Sequence, residues 1–293
     1  MSTKEKILTA LEASSDFLSG EALSRTCGIS RTAVWKQIQR LQEEGYRIES
    51  QRKLGYRLVG RSDVLKEPEI RRRLNGEFWN TIYCYDMIDS TNQEARRLLL
   101  QGSGQGTVIV AETQTAGRGR RGHTWESRKG KGIWFSFILE PRVGLQETSQ
   151  YSFVMALAVA AGIQEATGLQ AQLKWPNDVL VQGKKVCGIL LELVAELSQV
   201  QQLIVGIGMN ANQTQEEFAP EVQSKAISLA MVLGHPVQRT EVLCAVLRYV
   251  ETYCRLLEEK GFAAIKEQWM KCSCMMGKKI QVLRNGEIAL TGT

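Results

Sequence analysis

The amino-acid sequence predicts an α+β protein with an N-terminal winged helix-turn-helix and a central mixed β-sheet with helices. Two observations support this prediction. At the N-terminus, apolar residues recur at helical spacing in short segments, and an alternating, hairpin-like segment follows from Tyr46 to Leu58. Further along, strand-like runs cluster with few helices between them, which is typical of a mixed or antiparallel sheet covered by helices largely on one face.

Three helices are expected in the N-terminal segment. Ser19, followed by Gly20 and Glu21, opens the second helix, and Ser30 caps the third after a tight turn at Cys27-Gly28-Ile29. The apolar residues that set the helical period are Ile7, Leu8 and Leu11 in the first helix and Val34, Ile38 and Leu41 in the third.

The polar side of the third helix indicates DNA binding, because a recognition helix offers base-reading and phosphate-reading side chains from its N-terminal half. Residues 1–62 carry a net charge of +4 out of the overall +6, so the excess positive charge is concentrated there. From this segment alone, a small helical domain with a solvated basic face is an open alternative. The DNA-binding candidates are Arg31, Thr32, Trp35, Lys36, Gln39 and Arg40, with Lys53 at the tip of the hairpin wing.

Residues 61–75 are interpreted as a linker that leads into a short helix and marks a domain boundary. The central elements follow in order beyond it. Strands are expected at Thr81–Tyr85, 107–112, 132–139, Gln172–Lys174, Val179–Val181, Gly188–Val194 and Leu203–Asn210, and helices at Asn92–Gln101, Thr148–Thr167, 240–259 and 262–270.

The C-terminal segment predicts a β-hairpin. Its strands, Lys279–Leu283 and Glu287–Leu290, are joined by Asn285-Gly286, the strongest short hairpin signal. An isolated hairpin is marginal in water, so this one is expected to pack on the central domain or to belong to a barrel whose other strands are missing. The predicted domains are 1–62, 63–273 and 274–293.

The most informative motif is QTAGRGRRGHTW at Gln114–Trp125, which has three glycines and three arginines within residues 117–122. Glycine lets the backbone close around a ligand, and arginine presents a fixed fork of donors to carboxylate or phosphate oxygens. This composition predicts a loop that covers an anion.

Two glycine-rich nucleotide-binding motifs are the first alternatives for this loop. Gly117, Gly119 and Gly122 satisfy GxGxxG, but a polar segment and a predicted strand follow them where a dinucleotide-binding turn requires a helix. The Walker A pattern is absent from the chain. A flexible basic turn between two strands is the remaining alternative.

Together with this loop, four further blocks resemble the bifunctional biotin–protein ligases that also repress the biotin operon. In chain order the blocks are DSTN (89–92), QTAGRGRRGHTW, KWPND (174–178), GKKVCGILLEL (183–193) and GIGMN (206–210). The resemblance covers nearly the whole chain, including the helix-turn-helix. It implies a ligase domain like the class II aminoacyl-tRNA synthetases and a C-terminal SH3-like β domain, which is expected to be truncated because the chain stops at Thr293.

The resemblance also implies the reaction and the partners. Biotin and ATP would form biotinyl-5′-AMP, with Mg²⁺ accompanying ATP, and biotin would pass to a lysine of the biotin carboxyl carrier domain of a biotin-dependent carboxylase. Biotinyl-5′-AMP would promote a homodimer that binds biotin operator DNA. Such chemistry needs no protein nucleophile but does need cations that hold a carboxylate and a phosphate in line.

Site roles follow from the same resemblance, residue by residue. Arg118 and Lys185 are the candidate catalytic residues, and Asp178 is the candidate Mg²⁺ ligand. Judged without the family, Trp125 could be ordinary core, and Lys174 and Lys185 could be solvated strand ends. The biotin-binding candidates are Ser90, Thr91, Asn92, Gln114, Arg118, Gly119, Arg120 and Lys185, and the ATP or adenylate candidates are Arg121, Trp125, Lys174, Asn177 and Asn210.

Composition narrows the class of protein. Without a run of about 18 apolar residues or a signal-peptide segment, the protein is expected to be soluble, cytoplasmic and free of membrane contacts. The seven cysteines form no CxxC, which argues against a disulfide framework and a zinc site. Two other function classes stay open, namely a repressor that senses a small anion without catalysis, and a lipoate-type ligase.

Overall fold

The computed structural model describes residues 2–43, 45–60, 63–74, 76–141, 144, 147–196, 199–284 and 287–292. It divides into two compact units, Met1–Val64 and Leu65–Thr293. The division lies within the linker that the sequence predicts at 61–75.

The first unit is a winged helix-turn-helix, as predicted. Helices α1 (Thr3–Glu12), α2 (Gly20–Cys27) and α3 (Arg31–Glu43) precede an antiparallel hairpin of β1 (Arg47–Gln51) and β2 (Gly55–Gly60). Leu18 extends this hairpin, because its backbone N–H donates to the Tyr56 carbonyl at 2.8 Å and its carbonyl accepts from the Tyr56 N–H at 2.9 Å.

Local chemistry explains these elements. Ser19 Oγ accepts from the Ala22 N–H at 3.0 Å and Ser30 Oγ accepts from the Ala33 N–H at 3.2 Å, so both predicted caps are formed. A Cβ atom on Gly55 would lie 2.0 Å from the Leu18 carbonyl oxygen, so the wing can pack here only with glycine. The apolar residues that set the predicted helical periods are all buried: Ile7, Leu8, Leu11, Val34, Ile38 and Leu41.

The second unit is built on a seven-stranded mixed sheet. Its strands are β3 Thr81–Ile88, β4 Thr107–Gln114, β5 Gly132–Leu139, β6 Gln172–Lys174, β7 Asp178–Val181, β8 Lys184–Glu196 and β9 Gln199–Asn210. Their order in the sheet is β3-β4-β5-β9-β8-β7-β6. Strands β3 and β4 are parallel, and each of the other neighbouring pairs is antiparallel.

Helices cover the two faces of this sheet unequally. Helices α6 (Gln150–Thr167), α8 (Arg239–Lys260) and α9 (Phe262–Cys272) share the large core with alternate residues of β4, β5 and β9. On the opposite face, α5 (Thr91–Leu100) buries Ala95 and Leu98 against Ile109, Ile138 and Ile204. The prediction that helices lie largely on one face is therefore correct.

The remaining elements are short. Helix α4 (Glu67–Arg73) follows the linker as expected, whereas α7 (Leu229–Leu233) was not predicted, because five residues are too few to show a helical period. Strand β8 starts earlier than predicted because Lys184 and Lys185 pair with β7. It also ends later, and β9 starts earlier, because the end of β8 pairs with the start of β9. In the part of the chain that the structure describes, no helix is long and apolar enough to cross a membrane.

The C-terminal segment forms the predicted antiparallel hairpin of β10 (Ile280–Arg284) and β11 (Glu287–Gly292). The predicted turn, Asn285-Gly286, lies outside the described residues. The two strands form a separate two-stranded sheet, and Ile288 and Leu290 are 57% and 68% exposed. The assignment of 274–293 to an SH3-like domain stays a prediction.

Candidate ligand-binding site

A cavity of about 640 Å³ opens over one part of the mixed sheet. Its walls come from the start of α5, from the loop Gln114–Trp125, hereafter the glycine–arginine loop, and from strands β8 and β9. The sequence-predicted residues that line this cavity are Ser90, Thr91, Asn92, Gln114, Arg118, Gly119, Arg120, Trp125, Asn177, Asp178, Lys185 and Asn210. Distant segments of the chain therefore meet at one place, as the ordered blocks predict.

One end of the cavity is a buried polar pocket. The side chains of Ser90, Thr91 and Asn92 are almost fully buried. The Thr91 backbone N–H donates to Gln114 Oε1 at 2.9 Å, and Asn92 Nδ2 donates to Glu192 Oε2 at 3.0 Å. Buried polar groups held in this way stay desolvated and fixed in orientation, which suits recognition of a small polar ring.

Ser136 and Glu192 support this pocket through hydrogen bonds to Thr91 and Asn92 without lining the cavity, and sequence reasoning missed both. Ser136 Oγ lies 2.6 Å from Asn92 Oδ1 and 2.7 Å from Thr91 Oγ1, and it is fully buried. The signal that could have found them is a lone polar residue within an apolar strand, Ser136 in GIWFSFIL and Glu192 in GILLEL. Such a residue must meet a polar partner when its strand is buried.

Asp89, the first residue of the DSTN block, supports the start of α5 from outside the cavity. Arg97 donates to it twice, from Nη1 at 2.9 Å and from Nη2 at 2.7 Å. These hydrogen bonds are the main reason that the pKa of Asp89 falls from 3.8 to about 2. Asp89 also accepts from the Ser90 backbone N–H at 2.7 Å, which ties Ser90 to this ion pair.

Glycines form the floor of the cavity. Gly188 on β8 and Gly208 on β9 are register partners, and Trp125 lies across both. A Cβ atom on Gly208 would lie 2.6 Å from Trp125 Cε2, and one on Gly206 would lie 2.1 Å from Asn92 Oδ1. The repeated glycines of the GIGMN block thus make space for the side chains above the sheet.

Lys185 and Asp178 form an ion pair inside the cavity, with 2.6 Å between Lys185 Nζ and Asp178 Oδ1. Lys185 Nζ also lies 5.3 Å from the centre of the Trp125 ring, a cation–π distance. Among the described residues, no three or more His, Cys, Asp or Glu side chains are grouped to hold a metal ion. Asp178 therefore fits Mg²⁺ only where phosphate oxygens supply most of the ligands.

The glycine–arginine loop folds into a compact turn above the floor. The Gly119 N–H donates to the His123 carbonyl at 2.7 Å, and the Trp125 N–H donates to the Gly117 carbonyl at 2.9 Å. Arg120 Nη1 donates to Asn177 Oδ1 at 3.1 Å, so this arginine reaches across to the KWPND block. Arg121 and Lys174 are exposed, and neither is among the residues that line the cavity.

Part of the cavity lining comes from residues 213–226, a segment without a recognisable motif that sequence reasoning did not assign to the site. Gln213 Nε2 donates to Asn210 Oδ1 at 3.2 Å. The Lys185 backbone N–H donates to the Lys225 carbonyl at 2.7 Å. Lys131 Nζ lies 2.9 Å from Glu217 Oε1, which connects this segment to the start of β5.

The candidate DNA-binding residues lie in the first unit. Six of them are on α3, and Lys53 is in the turn between β1 and β2. Arg31, Thr32, Trp35, Lys36 and Arg40 are exposed, as is Lys53, which has a positive φ of 73°. Gln39 is half-buried, and its Nε2 atom donates to Gln42 Oε1 at 3.1 Å.

Comparison with known proteins agrees with this geometry. Residues 84–210 match the Biotin/lipoate A/B protein ligase family, and residues 3–57 match an HTH domain family. The bifunctional ligase/repressor BirA of Bacillus subtilis is 41% identical over 283 residues, covering 96% of this chain and 87% of that protein. The corresponding protein of Escherichia coli is 29% identical over 279 residues, covering 94% and 84% of the two chains.

A solved structure has the same fold. The biotin protein ligase from Aquifex aeolicus in complex with biotin and ATP matches with a TM-score of 0.64 and 35% identity, over 73% of this chain and 86% of that one. Proteins named as bifunctional ligase/repressors match nearly the whole chain. The chain belongs to the family of bifunctional biotin–protein ligases and repressors.

Proposed function

We propose that this chain joins biotin to a carrier protein at the expense of ATP and represses transcription from a biotin operator. The observation that carries the proposal is one cavity lined both by the buried polar pocket at Ser90–Asn92 and by Lys185, Arg118 and Arg120. A neutral cyclic urea and a carboxylate at opposite ends of one molecule match these two environments. The Aquifex aeolicus ligase was solved with biotin and ATP, and we extend both ligands to this chain.

In the first step, a carboxylate oxygen of biotin attacks the α-phosphorus of ATP. A bond forms between that oxygen and the α-phosphorus, the bond from the α-phosphorus to pyrophosphate breaks, and biotinyl-5′-AMP results. The two reacting groups are both anions, so the cations of Lys185, Arg118 and Arg120 lower the cost of bringing them together. Trp125, Asn177 and Asn210 line the same cavity and are assigned to the adenylate, as are Arg121 and Lys174 from outside its lining.

In the second step, the amine of a carrier lysine attacks the acyl carbon. An amide bond forms, AMP leaves with the bonding electron pair, and the amine loses a proton to solvent. The carrier is a biotin carboxyl carrier domain of a biotin-dependent carboxylase. Mg²⁺ would accompany the ATP phosphates, with Asp178 as its protein carboxylate, and would offset their negative charge.

The repressor activity is assigned to the first unit. The exposed side chains of α3 and Lys53 would contact DNA, with Lys36 and Arg31 near the N-terminal end of the recognition helix. One such unit reads one half-site, so we propose a homodimer on a two-fold operator. Biotinyl-5′-AMP would promote that dimer, and unbiotinylated carrier would oppose it by consuming the intermediate.

Mass spectrometry tests the ligase proposal. A carrier domain incubated with the chain, biotin and Mg-ATP should gain one biotin, whereas lipoate in place of biotin should give no gain. Pyrophosphate exchange that requires biotin would identify the first step. No exchange and no mass gain would leave a non-catalytic sensor, and a gain with lipoate alone would indicate a lipoate-type ligase.

Gel-shift titration tests the repressor proposal. Operator binding should tighten when biotin and ATP are both present, and Lys36→Ala should weaken it by about tenfold or more. Arg25→Ala is the matched control, because Arg25 lies on α2 and pairs with Glu21 on that helix. Operator affinity that ignores biotin and ATP would remove the coupling between the two activities.

A further inference from the structure

A series of hydrogen-bonding groups runs from the partly buried Glu192 on β8 to the buried Thr91 at the cavity. Asn92 Nδ2 lies 3.0 Å from Glu192 Oε2, and Asn92 Oδ1 lies 2.6 Å from Ser136 Oγ. Ser136 Oγ in turn lies 2.7 Å from Thr91 Oγ1. Thr91, Asn92 and Ser136 are at most 4% exposed, so water has little access to these groups.

The number of available protons determines which group donates and which accepts at each of these hydrogen bonds. A carboxylate only accepts, so Asn92 must present its NH₂ group to Glu192 and its carbonyl oxygen to Ser136. The single hydroxyl proton of Ser136 is then donated to Asn92. The contact between Ser136 and Thr91 therefore needs the proton of the Thr91 hydroxyl, which leaves Thr91 Oγ1 with free lone pairs.

The hydrogen bonds of Gln114 agree with this assignment of donors and acceptors. Gln114 Oε1 lies 3.1 Å from Thr91 Oγ1 and accepts from the Thr91 backbone N–H at 2.9 Å, so it keeps a donor when the Thr91 hydroxyl proton points to Ser136. Gln114 Nε2 donates to Ser127 Oγ at 2.8 Å, which fixes the orientation of that amide as well. Thr91 lines the cavity, where its hydroxyl oxygen can accept from a ligand.

We propose that Glu192 is a positioning residue that acts through Asn92 and Ser136 to make Thr91 Oγ1 an acceptor for a ligand N–H. The inference rests on the proposed function, since the ligand group concerned is an N–H of the cyclic urea of biotin. The other oxygen of Glu192 lies 3.5 Å from Arg96 Nη2, a group that only donates. Glu192 does not line the cavity, so its effect on ligand choice must pass through the hydrogen bonds of Asn92, Ser136 and Thr91.

The substitution Glu192→Gln tests this assignment of donors and acceptors. Arg96 only donates, so the introduced amide would turn its oxygen toward Arg96 and its NH₂ group toward Asn92. Asn92 must then present its oxygen to that NH₂ group and its own NH₂ group to Ser136. Ser136 would donate to Thr91 Oγ1, and the Thr91 hydroxyl would become a donor.

The readout is the ratio of the dissociation constant of an analogue to that of biotin, measured by calorimetry on the full chain for each of two analogues. These are the two carbamates in which one or the other ureido N–H is replaced by oxygen. The wild-type chain should bind one analogue about tenfold or more weakly than biotin, because the acceptor at Thr91 loses its donor. In Glu192→Gln this ratio should fall towards one, whereas a general loss of structure would weaken both ligands equally.

Two further variants serve as controls. Arg96→Met keeps the carboxylate acceptor and should keep the wild-type ratio. The double variant Glu192→Gln with Arg96→Met lets the introduced amide turn either way, so the ratio should recover part of its wild-type value.

Neutron diffraction from the deuterated wild-type chain tests the inference even where Glu192→Gln fails to fold. Deuterium should lie between Thr91 Oγ1 and Ser136 Oγ on the threonine side, and the Ser136 deuterium should point to Asn92 Oδ1. A Ser136 deuterium that points to Thr91, or a folded Glu192→Gln with the wild-type ratio, overturns the inference alone. A wild-type chain that does not bind biotin overturns the proposed function and this inference together.

Discussion

Lys185 Nζ lies 2.6 Å from Asp178 Oδ1, and both side chains line the same cavity. The lysine charge is therefore already balanced by one carboxylate of the protein. A ligand carboxylate must share or displace that partner, so the strength of this pair bears directly on how firmly the substrate is held.

Lys185→Met should abolish adenylation while the chain stays folded. The substitution removes the cation from the reacting groups and deletes no core side chain, so we expect activity to fall by about a hundredfold or more. Biotin-dependent pyrophosphate exchange measures the loss, and circular dichroism checks the fold. Lys184→Met, one residue earlier on β8, should retain activity. Unchanged turnover in folded Lys185→Met would reassign this lysine to the surface.

Arg120→Ala should release biotinyl-5′-AMP faster than wild type, by about tenfold, because the hydrogen bond to Asn177 that ties the glycine–arginine loop across the cavity is lost. Dissociation can be followed by tryptophan fluorescence or by biotin labelling of a bystander protein. Arg255→Ala is the matched control, since it removes an exposed arginine that pairs with Glu251 on α8 and does not line the cavity. An equal effect in both variants would contradict the role given to the contact between Arg120 and Asn177.

Gly208→Ala should weaken ATP binding more than biotin binding. The added methyl group would lie 2.6 Å from the Trp125 ring and would displace the side chain assigned to the adenylate. Equilibrium dialysis with each ligand separately gives the two affinities. Gly292→Ala is the control, because its Cβ atom would meet nothing within 4 Å. Equal losses for both ligands would argue for general damage to the sheet.

Arg239→Met should destabilise the second unit strongly. Arg239 is 2% exposed at the side chain and lies 2.8 Å from Glu112 Oε2, which also accepts from the Gly130 N–H at 3.2 Å. Removing one partner leaves a buried charge, which typically costs about 3–5 kcal/mol. Urea unfolding measures the difference. Arg248→Met removes the exposed pair with Glu165 and should cost about 1 kcal/mol or less. Similar costs would show that the buried pair is no more important than an exposed one.

The ion pair of Asp89 with Arg97 should make stability depend on pH. The pKa of Asp89 is about 2 in the folded chain against 3.8 normally, so its contribution is fully present above pH 4 and is lost as the pH falls through about 2. The difference in urea midpoint between wild type and Asp89→Asn should therefore shrink below pH 4. Arg97→Met should remove the same pH dependence. A difference that stays constant from pH 5 to pH 3 would contradict the assignment.

The sequence by itself determined the elements and the family. Periodicity located the first and third N-terminal helices, because burial of one face leaves a regular pattern in nearby residues. Aromatic and β-branched composition located the strand at 132–139, which is buried on both faces. The blocks at 89–92, 114–125, 174–178, 183–193 and 206–210 predicted where ligand-contacting residues would lie. Helix α7 and the ends of β8 and β9 escaped, since short or polar segments carry no such pattern.

Only the tertiary structure decided which side chains act together. Ser136 and Glu192 meet Asn92 across 44 and 100 residues of sequence, so their role depends on how strands β5, β8 and β9 align beneath α5. The same holds for the arginines: Arg120 reaches Asn177 across 57 residues, whereas Arg121, its neighbour, lies outside the cavity lining. Local sequence sets the backbone of each segment, but the contacts between segments are fixed by sheet register and by burial of the common core.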